Sequence, residues 1–106
     1  MSLVSIIVPC YNEQSTIQLL LKAVYNQSYP KEEMEVVIAD GGSSDNTLEE
    51  ISLFSRAHKE FRVIVVHNNG KGIPSALNKA VKASNGSLIV RMDAHSVPDP
   101  EYISRQ

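Results

Sequence analysis

Residues 36–46 read VVIADGGSSDN. Four apolar residues, Val36 to Ala39, run without a break and then give way to an aspartate, two glycines and a polar stretch. A strand with one wet face alternates apolar and polar residues. A continuous β-branched run instead marks a strand covered on both faces, as in a parallel sheet. The same passage from apolar run to polar loop recurs three times. Val4 to Val8 leads into Pro9-Cys10-Tyr11-Asn12-Glu13, and Val63 to Val66 into His67-Asn68-Asn69-Gly70-Lys71-Gly72. Leu88 to Val90 leads into Arg91-Met92-Asp93-Ala94-His95.

The segments between these runs repeat at helical spacing. Ile17, Leu20, Leu21 and Val24 fall at i, i+3, i+4 and i+7; Leu48, Ile51 and Phe54 form a second stripe, and Ile73, Leu77, Ala80 and Val81 a third. Ser15 to Gln18 and Asn46 to Glu49 have capping-box spacing. Gly72 with Pro74 marks the start of the third helix and Asn85-Gly86 its end. The order β-α-β-α-β-α-β predicts an α/β, Rossmann-like domain over residues 1–106, with a mainly parallel four-stranded sheet flanked by helices. Asp99 and Pro100 read as the N-cap and first residue of a further helix, which the sequence does not complete. The expectation is a single domain truncated at its C-terminal end, part of a longer protein.

Composition narrows the function. The chain has 106 residues, 42% hydrophobic and 21% charged, with a net charge of −2. That is ordinary globular composition, and the scattered basic residues give no nucleic-acid stripe. Cys10 is the single cysteine, which excludes a disulfide framework. No apolar run approaches the roughly 20 residues of a membrane helix.

In open α/β sheets ligands bind beyond the carboxyl ends of the strands. All four strand ends here are polar, which predicts a polar ligand on that rim. The dinucleotide fingerprint G-x-G-x-x-G should follow the first strand, but that loop has no glycine. G-x-x-x-x-G-K-[ST] is also absent. Asp93 and His95, two apart at a strand end, point the same way and can reach one ion. A carboxylate with an imidazole suits Mn²⁺ better than Mg²⁺. The plainer alternative makes Asp93 a turn residue and His95 a surface residue. Asp40 can accept from a base N–H or a ribose hydroxyl, or satisfy the amides of its own turn. Asp45 is most simply a helix N-cap or its neighbour. Tyr11 can stack on a base, Glu13 can bond a ribose or favour the helix N-terminus, and Lys71 can meet phosphate or water. His67 reads as the end of a strand, and Cys10 as a packing residue.

Taken together, Pro9-x-Tyr11-Asn12-Glu13, Asp40 to Thr47, Asn69 with Gly72, Ala76-Leu77-Asn78, Asn85-Gly86 and Asp93-x-His95 resemble the nucleotide-sugar-binding half of family 2 glycosyltransferases of the GT-A fold. Val90 to His95 is most similar to the bacterial exopolysaccharide branch that builds succinoglycan-type polymers. The resemblance implies that Pro9, Tyr11 and Glu13 lie along the nucleoside and that Asp40 contacts the base, typically uracil. It places Lys71 in the nucleotide-sugar site, Asp93 at the ribose, and Asp93 with His95 on a divalent metal, Mn²⁺ or Mg²⁺, in the D-x-D position. His95 departs from the usual second aspartate. The implied reaction is inverting sugar transfer from a nucleoside-diphosphate sugar to a saccharide or lipid-linked acceptor. The general base is expected beyond residue 106, so the 106-residue chain alone is expected to transfer nothing. The implied location is cytoplasmic, with the inner membrane face as the alternative for the full-length protein.

Three other readings compete. A nucleotidyltransferase shares the α/β core, but the loop PCYNEQ lacks the glycine-rich, basic character that grips a triphosphate. A non-catalytic α/β module would bind a protein through its rim loops. A part-built pocket would expose apolar surface and favour self-association through the truncated face.

Overall fold

The computed structural model describes residues 3–68, 72–95 and 97–105. Four strands, β1 (Val4–Cys10), β2 (Met34–Asp40), β3 (Arg62–His67) and β4 (Leu88–Arg91), form one parallel sheet in the order β3-β2-β1-β4. Helices α1 (Ile17–Tyr25), α2 (Thr47–Ala57) and α3 (Ile73–Ala83) connect them, with a short 3-10 turn at Lys31–Glu33 before β2. No described helix is long and apolar enough to cross a membrane.

The continuous apolar runs of β1 and β2 exist because both sheet faces are covered there; the edge strands depart from the expectation, with β3 only part-buried and Leu88 and Ile89 of β4 exposed. Val4, Ile6 and Val8 of β1 join Met34, Val36 and Ile38 of β2 in a core with α1 and α2. Ile7, Val37 and Ala39 point the other way, against Ala76 and Ala80 of α3. Each fully buried Ile or Leu here contributes about 1.5–3 kcal/mol. The strand order reverses at β1: β2 and β3 extend to one side, while β4 lies on the other. The carboxyl ends of β1 and β4 therefore flank a switch point, where open α/β sheets receive ligands.

Two expected features differ. Neither capping box forms: α1 takes Thr16 and not Ser15 as its N-cap, neither Thr16 nor Asn46 makes a side-chain cap, and Gln18 Nε2 donates to Glu50 O at 3.2 Å. At α2 the Asn46 amide donates across to Gln14 Oε1 at 2.8 Å and the Thr47 amide to Asp45 Oδ1 of its own loop at 3.0 Å, while at α1 the Thr16 and Ile17 amides donate to Glu13 O at 3.1 and 2.9 Å. At the C-terminal end, Asp99 Oδ1 does accept from the Glu101 amide at 2.9 Å, but residues 100–105 form turns and not a helix. Buried Gln27 is the reason. Its Oε1 takes the Ile103 amide at 2.8 Å and its Nε2 donates to Asp99 O at 2.7 Å, which pins the segment to the end of α1.

At the amino ends of the strands lies a feature that the sequence reading passed over. Glu35, with no solvent exposure, accepts from Ser5 Oγ at 2.7 Å, the Asn85 amide at 2.6 Å and Asn85 Nδ2 at 3.1 Å. Arg62 lies 3.5 Å away. Gly86 closes this knot, because a Cβ there would sit 2.5 Å from Ser5 Oγ. Burial alone would raise the Glu35 carboxyl, but the hydrogen bonds from Asn85 and Ser5, with Arg62, outweigh it and hold the carboxyl below the usual range. Its contribution is therefore complete above the unfolded-state value and is lost as pH falls through the lowered one. Glu35→Gln should destabilise the chain by about 2 kcal/mol at pH 7. The difference from the unsubstituted chain should shrink below pH ~4, read by denaturant melts at both pH values. An undiminished difference in acid would contradict the assignment.

Candidate functional site

The four polar strand ends meet around one cavity of about 660 Å³. Pro9, Cys10, Tyr11 and Glu13 line it from the end of β1, and Ala39, Gly41 and Gly42 from β2. Asn68 follows β3, and Gly72, Ile73 and Ala76 come from the start of α3. Arg91, Asp93, Ala94 and His95 complete the wall beyond β4. Of the residues expected in the site, Pro9, Tyr11, Glu13, Asp93 and His95 line the cavity. Lys71 lies outside the described residues, together with Asn69 and Gly70.

The loops after β1 and β2 are joined by a set of hydrogen bonds. Asn12 adopts a left-handed turn, φ 49°. Its carboxamide oxygen accepts from the amides of Ser44 at 2.8 Å and Asp45 at 3.4 Å. In return its amide donates to Ser43 Oγ at 2.9 Å, and the Glu13 amide to Thr47 Oγ1 at 2.8 Å. The Gln14 amide reaches Asp45 Oδ2 at 3.3 Å. Asparagine is the side chain best suited to such a turn, since it tolerates a positive φ and supplies a short acceptor. Asp45 is thus the neighbour of the helix N-cap. Burial pushes its carboxyl up, but bonds from the Thr47 hydroxyl and amide and from the Gln14 amide outweigh that and hold it low.

Asp40 is buried beneath this lining. Its Oδ2 accepts from the amides of Gly42 and Ser43, each at 3.0 Å, and its Oδ1 from Ser43 Oγ at 2.5 Å. The role visible here is the turn role; the neighbouring glycines, and not the Asp40 side chain, face the cavity. Gly41 leaves room for the Tyr11 ring, whose Cδ1 lies 3.5 Å from where a Cβ would stand.

The D-x-H spacing has a packing cause. Val90, Met92 and Ala94 are buried on the α1–α2 side, while Arg91, Asp93 and His95 alternate with them and stay exposed. Asp93 Oδ1 lies 3.5 Å from Arg91 Nη2, and His95 Nδ1 lies 3.5 Å from Glu13 Oε2. Among the described residues, no group of three His, Cys, Asp or Glu side chains is placed to hold a metal ion. The donor types of Asp93 and His95 suit a divalent ion, but a bound ligand and water would have to fill most of its shell. Arg91 shares their spacing, two residues before Asp93, and that signal was available in the sequence.

Cys10 reports the electrostatics of the cavity floor. Its thiol is pushed up to about 12, first by burial and then by the negative charges of Asp40, Glu13 and Asp45. The thiol is therefore inert, as a packing residue should be. Iodoacetamide at pH 8 should label native Cys10 about a thousandfold more slowly than the unfolded chain. Mass spectrometry of timed samples checks this, and labelling at the unfolded rate would contradict a buried, negatively surrounded thiol.

Comparison with known proteins bears on this geometry. The family model described as Glycosyl transferase family 2 matches residues 5–106. A relative from Methanococcus voltae, described as dolichyl N-acetyl-α-D-glucosaminyl phosphate 3-β-D-2,3-diacetamido-2,3-dideoxy-β-D-glucuronosyltransferase, is 33% identical over 103 residues. The alignment covers 97% of this chain and 32% of that protein. The mannosyltransferase PcManGT from Pyrobaculum calidifontis, solved in complex with GDP-Man and Mn²⁺, superposes with a TM-score of 0.88 at 32% identity, over 93% of this chain and 29% of its own. S. aureus TarS 1–349 in complex with UDP-GlcNAc gives a TM-score of 0.82 at 31% identity, over 97% and 29%. The chain thus spans about a third of the length of these proteins, and its sheet and flanking helices are those of the GT-A fold. The nucleotidyltransferase alternative receives no support from these matches. On the strength of a match that runs from the first strand to the last residue, the chain belongs to glycosyl transferase family 2.

Proposed function

We propose that residues 1–106 are the donor-binding part of a glycosyltransferase that moves a sugar from a nucleoside-diphosphate sugar to a saccharide or lipid-linked acceptor. The observation that carries this reading is the convergence of all four strand-end loops on one cavity at the switch point. The solved relatives described with GDP-Man and with UDP-GlcNAc support it. The relative acting on a dolichyl phosphate sugar supports a lipid-linked acceptor. A uridine nucleotide is the first candidate, and the reaction takes place on the cytoplasmic side.

Each wall has a part. Tyr11, more than half exposed, offers a ring face to the base. Gly41 and Gly42 let a ligand approach the backbone closely. Asp40 holds those glycines in place through the Gly42 and Ser43 amides. In an inverting transfer the acceptor oxygen attacks the anomeric carbon as the bond to the diphosphate breaks, and a base takes the acceptor proton. No residue described here is assigned as that base.

Charge decides what else is required. Glu13 and Asp93 face the cavity and Asp40 lies beneath it, so a diphosphate enters a negative field. A divalent ion, held by Asp93 and His95, would offset that field and stabilise charge on the leaving diphosphate. Calorimetric titration of UDP, and then GDP, should show binding with Mn²⁺ that is lost in EDTA. Asp93→Ala should weaken it at least about tenfold. Binding that is indifferent to EDTA would exclude the metal role. The absence of binding for both nucleotides would overturn the donor-site reading.

A further inference from the structure

Arg91 lines the cavity at the end of β4. Among the described lining residues it is the one lysine or arginine, against the carboxylates of Glu13 and Asp93. Its position is fixed by β4. Arg91 pairs in register with Ile7, and the next amide, that of Met92, donates to Ile7 O at 3.0 Å. Met92 and Ala94 are anchored in the core, so Arg91 and Asp93 are held on the same side of the chain.

The guanidinium is paired, but loosely. Its Nη2 stands 3.5 Å from Asp93 Oδ1, beyond the range of a strong charge-assisted hydrogen bond. Both side chains are about half exposed, 48% and 51%. Such a pair contributes little and is readily exchanged. Arg91 also borders a second cavity of about 510 Å³, shared with Asp93, so the pair forms the partition between the two. A guanidinium in this place can turn from a carboxylate to a phosphate without moving its backbone, and its planar fork matches either.

We propose that Arg91 is a phosphate-contacting residue that exchanges partners. It pairs with the Asp93 carboxylate in this structure and passes to the diphosphate when nucleotide binds, leaving Asp93 to a cation. This proposal rests on the donor-site reading above and adds to it a specific carrier of the diphosphate charge. The exchange makes two effects of one substitution run in opposite directions. Removing the guanidinium weakens diphosphate binding, yet it frees Asp93 for a cation.

The test uses Arg91→Gln and Arg91→Lys beside the unsubstituted chain. UDP and uridine are titrated with diamagnetic Mg²⁺ present and followed by NMR, and Mn²⁺ alone is titrated by electron paramagnetic resonance. Arg91→Gln should weaken UDP about tenfold and leave uridine within about twofold. It should bind Mn²⁺ alone about two- to fivefold more tightly. Arg91→Lys, which keeps the charge without the fork, should fall between the other two for UDP. Unchanged UDP affinity in Arg91→Gln would overturn the proposal and leave the donor site standing. An equal loss for UDP and uridine, or weaker Mn²⁺ binding, would reduce Arg91 to a structural role and also overturn it. If the unsubstituted chain binds neither UDP nor GDP, the donor-site reading itself fails, and this proposal with it.

Discussion

The carboxamide of Asn12 joins two loops that a parallel sheet brings side by side but does not itself connect. Pairing between β1 and β2 ends at Cys10 and Asp40. Beyond that point the chain has no ladder to follow. Asn12 takes over by turning left-handed and accepting the amides of Ser44 and Asp45. Thr47 and Ser43 answer by accepting the amides of Glu13 and Asn12. The start of α2 is thereby tied to the entrance of α1, and Tyr11 and Glu13 are held facing the cavity. Without this clasp the wall formed by the first loop would be a flexible turn, and the remaining walls would enclose little.

Much of this was legible in the residues. The unbroken runs such as Val36 to Ala39 announced strands covered on both faces, and the two cores on opposite sides of the sheet are the physical reason. The spacing of Ile17, Leu20, Leu21 and Val24 announced a helix face, and all four are fully buried. The position of the site followed from the rule that ligands meet the carboxyl ends of parallel strands. What was hidden depends on distant partners. Ser15 to Gln18 and Asn46 to Glu49 have the spacing of capping boxes, yet α1 starts on the Glu13 carbonyl, and α2 on Asp45 and on Gln14 of the opposite loop. Asp99-Pro100 has the chemistry of a helix start, but Gln27, far earlier in the chain, captures the Ile103 amide. Glu35 stands just before the apolar run, two residues after Glu32-Glu33, and reads as the last of a charged loop. Its meaning appears only when Ser5 and Asn85 are brought against it.

Asp40 shows a different limit. Its residue type and place fitted either a ligand contact or a turn, and sequence could not divide the two. In this structure Asp40 bonds the amides of Gly42 and Ser43, and its contact with a base stays a proposal. Asp93-x-His95 has the form of a ligand pair, which by itself does not point to Arg91. The buried alternation of Val90, Met92 and Ala94 shows that the exposed unit is longer, with Arg91 as its first member. The rim is thus mixed in charge, with carboxylates from three strand ends and one described guanidinium. That balance favours a ligand that is anionic and arrives with a cation.

The central claim is that these four strand ends form one nucleotide-binding surface. Amide-resolved NMR of the chain, titrated with UDP in the presence of a diamagnetic divalent ion such as Mg²⁺, tests it most directly. Shifts should be confined to residues 9–13, 40–43, 72–76 and 91–95, with the Glu35 knot at the opposite end of the sheet undisturbed. Shifts centred elsewhere, or a titration that leaves all four loops unmoved, would contradict it.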